Sequence, residues 1–64
     1  MSISKQSAKK ILKEAGAKRV SDSAALELAD ILNKHAYSIA KKASKLALHA
    51  KRATVKKEDI ELAY

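Results

Sequence analysis

The side chains able to do chemistry in this sequence are almost all cationic. Lys5, Lys9 and Lys13 recur at every fourth position with Lys10 beside them, a spacing that lines one helix face with ammonium groups. Lys18-Arg19 and Lys51-Arg52 form two further pairs, and Lys56 follows the second. Such groups suit a polyanion, with nucleic acid ahead of a membrane surface. They lack the partners needed for base reading. There is no zinc-finger ligand set and no helix-turn-helix spacing, and Tyr37 and Tyr64 are the only aromatics, too few for a stacking platform. Contacts are therefore expected to be mostly to phosphate, with sequence sensed through DNA deformability. His35 and His49, without any cysteine, make a poor metal-binding set, and no metal or cofactor is expected.

Totals sharpen this reading. The 64 residues carry 14 Lys and Arg against 7 Asp and Glu, a formal charge of +7. Among the 14 basic residues, Lys9, Lys10, Lys13, Lys18, Arg19, Lys51, Arg52 and Lys56 lie at or beside two breaks in the helical pattern or along the first helix, as does Lys5. Asp22, Glu27, Asp30, Glu58, Asp59 and Glu61 sit mainly in helix starts, so positive charge collects near helix N-termini, whose free N–H groups also attract phosphate. An enzyme is not expected, because a catalytic cleft needs more walls than so short a chain can build. No apolar run approaches the roughly 20 residues of a membrane span. MSISKQSAKK has no apolar core of a secretory signal. With no cysteine, this points to a reducing, intracellular setting and a cytoplasmic protein without a membrane partner.

The elements that must position these charges are all helical, since the chain has no Pro, one Gly and almost no β-branched run. One domain, residues 1–64, is expected, with helices at about 4–15, 22–50 and 57–64. In the first, Ala8, Ile11, Leu12 and Ala15 share a face, and Gly16 stands where a left-handed cap belongs. Ser21 is a good N-cap for the second, with Asp22 and Glu27 near its positive end. Ala25, Leu28, Leu32, Ala36, Ile39, Ala43, Leu46 and Ala50 then form one apolar stripe. Lys56 or Thr54 caps the third helix, whose first turn holds Glu58 and Asp59. Ile60, Ala63 and Tyr64 share a face there, but Leu62 does not. His35 is expected to be partly buried, and His49, on its own pattern, to be a surface residue.

The hydrophobic class makes up 47% of the chain, but 13 of those residues are Ala, so the core is thin. A middle helix of about 28 residues is roughly 42 Å long, while flanking helices of about 12 and 9 residues span roughly 18 and 14 Å. The short helices cannot cover the stripe, and the uncovered part exceeds what soluble monomers tolerate. A symmetric dimer covers it for both chains. The competing arrangement is a monomeric three-helix bundle with a kinked middle helix, but no Pro or Gly pair marks a kink.

Taken together, Gly16, Ala17-Lys18-Arg19-Val20-Ser21-Asp22, the long helix, and Ala53-Thr54-Val55-Lys56-Lys57-Glu58-Asp59-Ile60-Glu61-Leu62-Ala63 closely resemble an archaeal histone. The resemblance covers roughly Ala8 to Ala63. It implies the histone fold and an intertwined handshake homodimer, with each first loop beside the partner's second. It also implies a protein that compacts double-stranded DNA in the nucleoid by wrapping or bridging. Arg19 would enter the minor groove with Thr54 holding it, while Lys10, Lys13 and Lys56 meet the backbone. Lys9, Lys51 and Arg52 complete the expected DNA-facing set. Dimers would join through Leu46, Leu48, His49, Asp59 and Leu62, with His49 hydrogen-bonding Asp59 of the neighbouring dimer and Arg52 pairing with Asp59 within the chain.

Departures from the family pattern are also legible. Lys51 stands where Gly is usual, so a left-handed backbone there costs roughly 1 kcal/mol. Ala53 replaces a common DNA-contacting Lys, for which Lys51 is the nearest substitute. Lys10 replaces the more typical Arg and loses bidentate phosphate geometry. Leu48 takes an often-charged position, and the chain ends at Tyr64, before the basic residues that usually follow. Two other readings stay open: a histone-fold protein pairing with a different chain in a transcription or chromosome complex, and an amphipathic membrane-surface helix, which the absence of Trp and Phe disfavours.

Overall fold

The computed structural model describes residues 2–64, and among them the elements are α1 (Lys5–Glu14), α2 (Asp22–His49) and α3 (Lys57–Ala63), with no strand. Their bounds lie within one residue of the ranges read from sequence. The reason is local chemistry at each end. Ser4 Oγ accepts from Ser7 N at 3.1 Å and starts α1. Ser21 Oγ accepts from Ala24 N at 3.1 Å and starts α2. Both hydroxyls satisfy an amide that the first helical turn leaves without a partner.

Helix ends are built alike. After α1, Gly16 N donates to Lys13 O and Ala17 N to Leu12 O, both at 3.0 Å. After α2, Lys51 N donates to Leu48 O at 2.9 Å and Arg52 N to Ala47 O at 3.0 Å. Each is a Schellman closure, which needs a positive φ at its turning residue. Gly16 supplies φ 118° and Lys51 φ 58°, so the strain anticipated at Lys51 is present.

The chain forms two compact units, one ending at Lys34 and the other running His35–Tyr64, with α2 contributing to both. In the first, Ala8 of α1 meets Ala25 and Ala29 of α2, with Val20 and Leu28 packed against them. Alanines let the two helices approach closely. Asn33 adds a clasp that no sequence pattern announces: its Oδ1 accepts from Ile3 N at 2.7 Å and its Nδ2 donates to Ile3 O at 3.2 Å. In the second unit Ala43 and Ala47 are buried.

Every buried apolar residue among those described is an alanine. The large side chains stay open: Ile11, Leu26, Ile31, Tyr37, Leu48, Val55, Ile60, Leu62 and Tyr64 are all more than two-fifths exposed. Burying a Leu or Ile contributes about 1.5–3 kcal/mol, a gain that these residues do not make within one chain. Ala36 and Ala50 of the apolar stripe are exposed too. His35 departs from its expected partial burial. Its ring is exposed, and the Tyr64 ring that it meets edge-on at 6.4 Å between centroids is itself 87% exposed and does not bury it.

Candidate nucleic-acid interface

The cationic residues fall into two groups with different surroundings. The first comprises α1 and the loop to α2. Lys10, Lys13, Lys18 and Arg19 are exposed and have no ion-pair partner among the described residues. Gln6, Lys9, Lys10, Lys13 and Glu14 line a shallow concavity along α1. Lys9, expected to face DNA, lines this concavity and is also paired: its Nζ donates to Asp22 Oδ1 at 3.1 Å, and Lys5 Nζ lies 3.6 Å from Asp22 Oδ2. The lysine row of α1 is therefore split, because Asp22 begins α2 within reach of Lys5 and Lys9 and not of Lys13. The Lys9 hydrogen bond, followed by the charges of Lys5 and Lys9, holds the Asp22 carboxyl below its ordinary value of 3.8.

The second group is the loop between α2 and α3. Arg52 Nη2 donates to Asp59 Oδ1 at 2.9 Å, and Nη1 donates to Asp59 Oδ2 at 3.0 Å and to the Thr54 carbonyl at 2.9 Å. Asp59 Oδ2 also accepts from Lys56 N at 2.8 Å. The carboxylate thus does what a side-chain cap would do for α3. Lys56 is the N-cap residue through its backbone alone, since an ammonium has no acceptor, and Thr54 does not cap. Asp59 is 3% exposed yet has every polar atom satisfied. The Arg52 hydrogen bonds first, then the Lys56 amide, lower its carboxyl from 3.8 to about 2. The same pairing raises the Arg52 guanidinium.

Arg52 is accordingly a brace for the loop, with only Nε and one Nη2 hydrogen left for a phosphate. Around it Lys51, Thr54 and Lys56 are exposed, and the Arg52–Asp59 fork holds the Thr54 carbonyl and the Lys56 amide. Ala53 is exposed and offers no charge.

Beside this loop Lys42, Lys45, Leu46, His49, Leu62 and Ala63 line a groove. Three of the residues expected to join dimers, Leu46, His49 and Leu62, come together there, and Leu62 is 75% exposed. Leu48 is not part of the groove and is 74% exposed on another face of α2. Asp59 is held by Arg52, although Oδ1 has a single partner and can accept another.

No group of three or more His, Cys, Asp or Glu is placed to hold a metal ion among the described residues, and no described helix is long and apolar enough to cross a membrane. Sequence reasoning missed the Asp22 bridge, reading Asp22 only as a helix-start charge. The every-fourth-residue spacing puts Lys5 and Lys9 on one face but does not say which carboxylate meets them.

Comparison with known proteins gives a consistent result. A family model described as histone-like transcription factor (CBF/NF-Y) and archaeal histone matches residues 1–64. One subunit of the archaeal histone HAN1 from Thermococcus zilligii is 48% identical over 54 residues, covering 84% of this chain and 81% of that protein. Probable archaeal histone 3 of Methanocaldococcus jannaschii is 52% identical over 54 residues, with the same coverage of both.

Proposed function

This chain belongs to the family of histone-like transcription factors (CBF/NF-Y) and archaeal histones, and from that premise we propose that it is an architectural DNA-binding histone of the nucleoid that works as a homodimer. The observation that carries the reading is the supply of unpaired cations on α1 and the two loops: Lys10, Lys13, Lys18 and Arg19 in one group, Lys51 and Lys56 in the other. Half or more of protein–DNA hydrogen bonds go to phosphate and sugar, and such groups position a protein on a duplex without reading bases.

Dimerisation supplies what one chain lacks. Two α2 helices crossing in a handshake cover the exposed Leu, Ile and Tyr side chains and set each Gly16–Ser21 loop beside the partner's Ala50–Lys56 loop. Arg19 then reaches the minor groove next to the partner's Thr54, while Lys10, Lys13, Lys51 and Lys56 neutralise phosphates on either side. The groove of Leu46, His49 and Leu62 joins one dimer to the next, with His49 donating to Asp59 Oδ1 of the neighbour. Leu48 lies outside that contact.

Salt titration tests the DNA reading. Affinity for random-sequence duplex should fall linearly on a log–log plot as counterions are displaced, and binding nearly independent of salt would refute it. Nuclease digestion then separates modes: regular protected lengths mean wrapping in dimer steps, and a single short footprint means a discrete complex.

A further inference from the structure

Asp22 sits against the cationic helix α1, and its position has a consequence for DNA binding. It is the first residue of α2, directly after the Ser21 cap, and its carboxylate is 66% exposed. Lys9 Nζ reaches it at 3.1 Å and Lys5 Nζ at 3.6 Å, and both lysine side chains are only about a third exposed (35% and 34%). Lys10 and Lys13, on the same helix, remain exposed and unpaired. We propose that Asp22 is a built-in counter-charge that holds Lys5 and Lys9 out of the DNA interface, so that α1 engages phosphate through Lys10 and Lys13 alone.

This inference rests on the DNA-binding reading above. A phosphate that approached Lys9 would have to compete with a carboxylate already in contact with it, although that carboxylate is 66% exposed and the pair is a surface one of modest strength. Asp22 thereby limits how many phosphates each chain neutralises, and with them affinity and the steepness of the salt response. It is a positioning residue, acting on DNA only through the two lysines.

Salt titrations of wild type, Asp22→Asn, Lys9→Gln and the double variant on one random-sequence duplex provide the test, with thermal melts to show that each protein folds. Each added phosphate contact steepens the fall of log K with log salt by about 0.9. Each lysine freed per chain steepens the slope of a dimer by about 1.8, so release of both Lys5 and Lys9 in Asp22→Asn steepens it by about 3.6. Lys9→Gln should leave the wild-type slope unchanged yet remove about half of the gain when combined with Asp22→Asn. That non-additivity separates release of a lysine from a simple change in net charge, which would give Lys9→Gln the same effect in both backgrounds. An unchanged or shallower slope in Asp22→Asn, or an equal loss from Lys9→Gln in both backgrounds, overturns the proposal. A flat wild-type slope would instead overturn the DNA-binding reading itself.

Discussion

The loop after α1 and the loop after α2 reach the same turn by different means. Both close with a Schellman pair, yet the first places Gly16 at the left-handed position and the second places Lys51 there. The first hands over to a helix capped by a serine hydroxyl; the second hands over to one capped by the Asp59 carboxylate, which Arg52 grips with two hydrogen bonds. A glycine turn with a hydroxyl cap is nearly free of strain. A lysine turn carries strain, and the ion pair braces the loop that follows it. The first loop is thus set by conformational preference, and the second by an electrostatic brace that also fixes Thr54.

Substitutions can break that contrast, and the brace should show the largest effect. Arg52→Ala leaves a carboxylate 3% exposed without its partner, a change that removes far more than a surface pair would. A fall in Tm of roughly 10 °C or more is expected by thermal melting, and a fall no larger than for an exposed lysine would show the brace to be idle. Acid should reproduce it in the wild type. The Asp59 carboxyl lies at about 2 when folded and 3.8 otherwise, so the folded state binds the proton less readily. Its contribution is therefore complete above the unfolded value and is lost as pH falls from near 4 towards 2. Arg52→Ala should flatten stability across that window.

Gly16→Ala comes next. A Cβ there meets nothing within 4 Å, so only the backbone at φ 118° resists it, at about 1–3 kcal/mol. Ser21→Ala removes the cap of α2 and should cost about 1 kcal/mol. Lys51→Gly is the smallest change and the only gain, about 0.5–1 kcal/mol from relieved strain. It should also weaken DNA binding slightly by deleting a cation, so stability and affinity move in opposite directions. A Lys51→Gly protein less stable than wild type would mean that the Lys51 side chain does more than turn the chain.

Much of this is legible in the sequence because helix ends are decided within a few residues. Ser21 and Gly16 carry their instructions locally, and the apolar spacing of α2 separates covered from open positions except at Ala36 and Ala50. The strain at Lys51 follows from a helix that has to end without glycine. The Arg52–Asp59 pair comes through the family resemblance, since spacing alone does not say that a carboxylate will cap its own helix. What escapes is chemistry between distant positions. Nothing near Asn33 marks the Ile3 backbone as its partner, and Lys9 looks like any solvated lysine until Asp22 is placed opposite it. His35 defeats the pattern because helical position reports a face and not whether anything covers that face.

Sedimentation equilibrium of the purified chain without DNA is the most direct test of the pairing on which the loop surface depends. A folded species of twice 7.0 kDa, dissociating only as it unfolds, is the expected result. A well-ordered 7.0 kDa single chain would contradict it, because the open Leu, Ile and Tyr side chains would then be stable in water and no partner loop would stand beside Arg19.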